Sequence, residues 1–154
     1  MLGGRGRAAP RGNAEWEWWF AGRSLNFMNH TQTVCIVDDD DAVRDSMRVL
    51  VESYGHTVRD YPSATAFLSD LRDPEPGCLL LDLHMPGMGG LELVELLRRR
   101  HVRTPVIIVT ARNDARQAQQ LKDANVLAQL SKPVTDEELI GWIERALLDN
   151  RVVY

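Results

Sequence analysis

The run Cys78-Leu79-Leu80-Leu81 limits what this chain can become more than any other stretch. Four consecutive apolar residues are too few for a helix, and Pro86 and Gly87 stop regular structure soon after. Such a run reads as a strand buried on both faces, the condition of a parallel sheet. A lone carboxylate, Asp82, then emerges at the strand's carboxyl end, where open α/β sheets bind their ligands. Taken alone, Asp82 is better explained as the start of a turn. The rest of the chain argues otherwise.

Similar runs recur. Val34 to Val37, a weaker Thr57 to Tyr61, Val106 to Val109 and Val126 to Leu130 all read as strands, and helical periodicity fills the gaps between them. Val43, Met47, Leu50, Val51 and Tyr54 fall on one helical face, as do Ala64, Phe67, Leu68 and Leu71 after a Ser63 N-cap. A third helix is expected over Gly90 to Arg100 with Leu91, Val94 and Leu97 inward. The fourth, Asp114 to Ala124, has Leu121 as its only large apolar anchor, and Asn125 after it tolerates the left-handed conformation of a helix end. The last helix opens on the capping box Thr135-Asp136-Glu137-Glu138 and carries Leu139, Ile140, Ile143, Ala146 and Leu147 inward. Strand and helix alternate five times, which predicts an α/β fold: a doubly wound parallel sheet of five strands with helices on both faces.

The residues just past each strand carry the chemistry. Asp38 and Asp39 end the first, Asp82 the third, Thr110 the fourth, and Ser131 with Lys132 the fifth. In a doubly wound sheet these ends converge on one crevice. Three carboxylates there raise one another's pKa unless a cation intervenes, and an all-oxygen ligand set selects a hard divalent ion. Mg²⁺ fits, because it retains waters and accepts phosphate oxygens. Carboxylates, Mg²⁺, a hydroxyl and an ammonium describe a site for phosphoryl transfer, with Asp82 as nucleophile, Lys132 neutralising charge and Thr110 donating a hydrogen bond. Lys132 is one of only two lysines against sixteen arginines, so a compact point charge is specifically wanted there.

The segments VCIVDDDD, LLLDLHMPGMGG, VIIVTA and SKP, at these separations, resemble the receiver domain of bacterial two-component response regulators over roughly Thr33 to Asn150. The resemblance implies a flavodoxin-like sheet of order 2-1-3-4-5 and phosphorylation of Asp82 by a histidine kinase or phosphotransfer protein. It further implies Mg²⁺ held by Asp39, Asp82 and the main-chain carbonyl of His84, with Asp38 acting through water, and a cis bond between Lys132 and Pro133. A protein of this kind catalyses only its own phosphorylation and dephosphorylation. The wording HMPGMGG is most like receivers that precede a helix-turn-helix DNA-binding domain; with the sequence ending at Tyr154, no such domain is expected within it. Two positions depart from the family pattern. Gln129 stands where receivers usually carry an aromatic, three residues before the Lys, and Val134 stands where Phe is common. The amide of Gln129 is expected to fit poorly in the space that Thr110 vacates on phosphorylation, weakening the signal to a downstream protein docked on the face of the fourth and fifth helices near Trp142.

Two other readings use the same residues. VCIVDDDDAV also fits the opening of haloacid-dehalogenase-type phosphatases, with Asp38 as nucleophile and Asp40 as acid/base; that class needs an acidic pair on a later strand, and it leaves Asp82 idle. A receiver that binds partners without phosphorylation is the third reading.

Composition narrows the partners. Residues 1–32 hold four arginines and two glutamates, leaving 14 basic and 20 acidic residues to the remainder. A body that acidic is a poor direct binder of DNA. No apolar run approaches the roughly 18 residues needed to cross a bilayer, so no membrane association is expected. Cys35 and Cys78 both sit inside strand-like runs and read as small core residues in a reducing compartment, which makes the cytoplasm the expected location. A monomer or weak dimer is expected.

Residues 1–32 read as an extension outside the domain of residues 33–150, with 151–154 as a tail. The extension holds Trp16, Trp18 and Trp19 without an apolar period, and no apolar core of about 7 to 15 residues follows its arginines to make a secretory signal. A true start at Met28 is the simplest account, and tryptophans docking on a partner the alternative. Deleting residues 1–27 is therefore expected to leave melting temperature and phosphorylation unchanged; a large drop in the melting temperature of the shortened chain would contradict this.

Overall fold

The computed structural model describes residues 33–152 apart from 73, 74 and 113. The expectations for residues 1–32 and for the last two residues lie outside that range. Five strands, β1 (Thr33–Val37), β2 (Thr57–Tyr61), β3 (Cys78–Leu81), β4 (Val106–Thr110) and β5 (Ala128–Ser131), form one sheet of order β2-β1-β3-β4-β5. Every pairing is parallel. Five helices alternate with them: α1 (Asp41–Ser53), α2 (Ala64–Asp70), α3 (Gly90–Arg99), α4 (Ala115–Asp123) and α5 (Asp136–Val152).

Period-2 alternation divides the strands between two cores. Val34, Ile36, Cys78 and Leu80 face the side covered by α1 and α5, while Cys35, Val37, Leu79 and Leu81 face α2, α3 and α4. Both cysteines are free and buried, as small core residues, and burial raises both thiol pKa values. No helix among the described residues is long and apolar enough to cross a membrane.

Helix starts follow the sequence signals. Asp40 Oδ1 accepts from Val43 N–H, Ser63 Oγ from Ala66 N–H, Asp114 Oδ1 from Arg116 N–H and Thr135 Oγ1 from Glu138 N–H. Three helix ends share one device. Gly55, His101 and Asn125 adopt positive φ of 86°, 59° and 61°. In each case the next N–H reaches back to the last turn: His56 to Val51 O, Val102 to Leu97 O and Val126 to Leu121 O. These are Schellman ends, which satisfy carbonyls the helix leaves orphaned.

Three details differ from expectation. Tyr54 is 51% exposed, since it caps α1 where the chain turns away toward Gly55, and Val51 is the only fully buried side chain of that helix. In α3 the buried stripe is Leu93, Val94 and Leu97, with Leu91 only partly covered. Gly90 sets that phase by packing on the backbone of Asp82 and Leu83, and residues three, four and seven positions on from it share its face. The last strand begins at Ala128 because Val126 is used to close α4.

Arg98 joins the ends of α3 and α4. Its guanidinium donates to Val102 O and Thr104 O at 2.8 and 3.1 Å, and to Ala124 O and Asn125 O at 3.1 and 3.3 Å. Arg98→Met keeps the apolar stem but removes a charged donor from four carbonyls, and is expected to cost on the order of 2 kcal/mol in urea unfolding. A change below about 0.5 kcal/mol, the scale of ordinary surface substitutions, would show that water replaces it.

Candidate functional site

Register brings the expected residues to one edge. Val37 pairs with Leu81 and Leu81 with Ile108, so Asp38 and Asp82, just beyond β1 and β3, stand side by side, and Thr110 at the end of β4 lies one residue further along the same edge. Asp38 and Asp82 follow β1 and β3 directly, and the N–H of Asp82 donates to Val37 O at 3.0 Å. Carboxylate oxygens of Asp38, Asp39 and Asp82 all lie within 4.8 Å of one another. Asp38 is 1% exposed and Asp82 9%, whereas Asp39 is open to solvent. Thr110 ends β4 beside Ser131 of β5, and Lys132 N–H continues that ladder to Thr110 O at 2.8 Å. The Lys132–Pro133 bond is cis, as the resemblance implied.

Asp38 is held on every polar atom. Its N–H donates to Tyr61 O at 3.2 Å, Oδ1 accepts from Asp40 N–H at 2.9 Å, Oδ2 accepts from Lys132 Nζ at 3.3 Å, and its carbonyl accepts from Arg44 Nη1 at 2.8 Å. Lys132 thus rests on Asp38, and its 25% side-chain exposure leaves it room to turn. Thr110 Oγ1 is engaged with the backbone of Arg112, accepting from its N–H and donating to its carbonyl, both at 3.3 Å. Those distances are at the long end of the hydrogen-bond range.

Asp82 has an environment unlike an ordinary surface carboxylate. Burial raises its pKa above the ordinary 3.8, Lys132 pulls it down, Asp38 pushes it up, the His84 N–H stabilises the charge, and Asp39 opposes it again. The donor set suits a hard divalent cation. Every side chain it offers is a carboxylate, the oxygens are close enough to share one ion, and the net negative charge calls for a positive one.

Gly90 shapes the floor of the site. A Cβ there would come within 2.4 Å of Asp82 O and 2.9 Å of Leu83 Cα, so α3 presses on the backbone that carries Asp82. Sequence reading placed Gly90 as a helix start without this role. It also missed Arg44, whose only signal was a spacing of three residues from Asp41 on α1. Gln129, expected to fit poorly in the space Thr110 vacates on phosphorylation, here donates from Nε2 to Ala118 O of α4 at 3.0 Å.

A flavodoxin-like sheet with an acidic cluster and an ammonium at its carboxyl edge is the architecture of a receiver-type domain. The response regulator receiver domain matches residues 34–144, and the chain belongs to that family. It is 38% identical over 121 residues to the response regulator protein TmoT of Ectopseudomonas mendocina, covering 78% of this chain and 55% of TmoT. It is 36% identical over 120 residues to the transcriptional regulatory protein FixJ of Azorhizobium caulinodans, covering 78% of this chain and 57% of FixJ. The chain therefore spans little more than half the length of these relatives. Among solved structures, the response regulator StyR superposes with a TM-score of 0.72 at 36% identity, over 77% of this chain and 60% of StyR. The structure titled FixJ-N superposes at 0.70 and 35% identity, over 75% of this chain and 93% of that one.

The raised pKa of Asp82 sets a direction for stability. The folded chain holds that proton more tightly than the unfolded chain, so this contribution is present below the ordinary carboxylate value and is lost as pH rises through the elevated one. Asp82→Asn, which removes the buried charge, is expected to raise the melting temperature at neutral pH without divalent ions by a few degrees, on the order of 1 kcal/mol. The gap should close in acid. A lower melting temperature for the variant would show that Asp82 is net stabilised where it sits.

Proposed function

We propose that this chain is the phosphoacceptor of a phosphorelay, taking a phosphoryl group onto Asp82 from a phosphohistidine of a histidine kinase or phosphotransfer protein. The observation that supports it most is the cluster itself: Asp82 recessed at a strand end with the oxygens of Asp38 and Asp39 within 4.8 Å, and Lys132 3.3 Å from Asp38. An Asp82 oxygen attacks phosphorus, the P–N bond breaks, and the imidazole nitrogen keeps the electron pair. The product is an acyl phosphate, which water later hydrolyses back to Asp82 and phosphate.

Asp39, Asp82 and the His84 carbonyl would hold Mg²⁺, which when bound neutralises the carboxylates and the phosphoryl oxygens. Asp38 acts at one remove, in keeping with both of its carboxylate oxygens already being occupied. Lys132 turns from Asp38 onto the phosphoryl oxygens, and Thr110 exchanges its long bonds to Arg112 for one to the same group. The chain acts on itself alone and is a signalling protein. The added charge of about −1.5 to −2 is read at the face made by α4, β5 and α5, where Trp142 lies half-buried with the Arg145 guanidinium 5.2 Å above its ring. A protein partner suits that face, and the cytoplasm suits two buried free thiols.

Incubation with acetyl phosphate and Mg²⁺ is expected to give a single phosphoryl adduct by intact mass, absent without Mg²⁺ and absent in Asp82→Asn. An adduct that persists in Asp82→Asn and disappears in Asp38→Asn would instead favour a phosphatase-type nucleophile, and no adduct at all a receiver that works without phosphorylation.

A further inference from the structure

Arg44 lies on α1, yet its fork is turned inward to three acceptors on three different segments. Nη1 donates to the Asp38 carbonyl at 2.8 Å, Nε to Asp60 Oδ2 at 3.0 Å on β2, and Nη2 to Asp41 Oδ1 at 2.6 Å in the first turn of its own helix. The side chain is 12% exposed. The peptide unit whose carbonyl it holds is the one that joins Asp38 to Asp39. That unit is planar, so fixing its oxygen fixes the direction in which Asp39 leaves the strand. Asp38 N–H on Tyr61 O and Asp40 N–H on Asp38 Oδ1 brace the same turn from two other sides.

The charge of the fork is spent nearby. Asp60 and Asp41 face it directly, and Asp60 also takes Arg48 Nη1. A bare cation this close to the pocket would oppose a divalent ion; one matched by carboxylates holds the backbone without doing so. Resting on the reading that the carboxylates bind Mg²⁺, we propose that Arg44 is a positioning residue for that ion, fixing the Asp38–Asp39 peptide so that the exposed Asp39 carboxylate meets Asp82 across the site.

Two effects of removing Arg44 have opposite signs. Deleting a positive charge alone would tighten Mg²⁺ binding, whereas releasing the turn weakens it. Groups that orient metal ligands from behind typically account for about ten- to a hundred-fold in affinity. Calorimetric Mg²⁺ titration of the full chain is therefore expected to show a loss of that size in Arg44→Gln. The same loss is expected in Arg44→Lys, which keeps the charge but lacks a planar three-way fork. Arg48→Gln serves as the control: it breaks a neighbouring ion pair to Asp60 and lowers the melting temperature, with Mg²⁺ affinity unchanged. Circular dichroism establishes which variants fold, and if Arg44→Gln does not, Arg44→Lys decides. Wild type that binds Mg²⁺ together with folded Arg44 variants that bind it equally or more tightly overturns the positioning role alone. Wild type that binds no Mg²⁺ overturns the metal reading, and this role with it.

Discussion

Asp38 and Asp82 are almost wholly removed from water with Asp39 beside them, and like charges that close repel. That repulsion is what the surrounding structure has to hold in check. Burial alone would drive Asp82 toward the neutral form. The fold answers with donors placed around them: Lys132 on Asp38, the Asp40 N–H on Asp38 and the His84 N–H on Asp82. These donors balance the cluster only in part, as the raised pKa of Asp82 records. A residual negative charge in a recessed, partly dehydrated crevice is a standing attraction for a cation and for the positive atom of a phosphoryl donor.

Holding such a cluster together requires a stiff edge, and the stiffness comes from pieces far apart in sequence. Parallel register aligns the strand ends, and any one-residue slip would send each side chain to the opposite core and carry Asp38 and Asp82 out of line. The close approach of Gly90 lets α3 sit directly on the backbone of Asp82, so the strand end that carries Asp82 has helix behind it. At the opposite end of α3, Arg98 ties two Schellman ends together. At the carboxyl edge Arg44 holds one carbonyl and two carboxylates near a helix start, whereas Arg98 gathers four carbonyls where two helices stop.

Much of this was legible in the sequence because it depends on local pattern. Period-2 and period-3.6 hydrophobicity located ten elements, and polar residues at the ends of apolar runs located Asp38, Asp39, Asp82, Thr110 and Lys132. The side-chain set of α5 was read in full, since its apolar stripe is long and unambiguous. What the sequence hid depends on phase and distance. Leu91 and Leu93 are equally apolar, and only the anchoring of Gly90 on β3 decides which faces the core. Val126 looks like strand until the left-handed Asn125 draws its N–H back to Leu121. Arg44 on a helix beside Asp41 reads as a solvated ion pair, because nothing in the sequence says that its remaining nitrogen reaches the carbonyl of Asp38.

Gln129 shows how one departure from the family pattern changes the physics of a neighbouring element. The α4 helix buries Leu121 as its single fully covered side chain and also carries Gln117 Oε1, buried without a hydrogen-bond partner. An unsatisfied buried oxygen costs on the order of 1 to 3 kcal/mol, which adds to the thin apolar anchoring of α4. The bond from Gln129 Nε2 to Ala118 O is one of its few side-chain ties to the sheet. A hydrogen bond differs from an aromatic contact in being directional: a shift of a fraction of an ångström or a rotation of the amide ends it, where a ring slides and keeps most of its contact. Gln129 pairs in register with Ile108, two residues before Thr110 on the adjacent strand. The Gln129 amide therefore ties α4 to the strand that runs beside Thr110 through a directional bond, where an aromatic would have made only a contact.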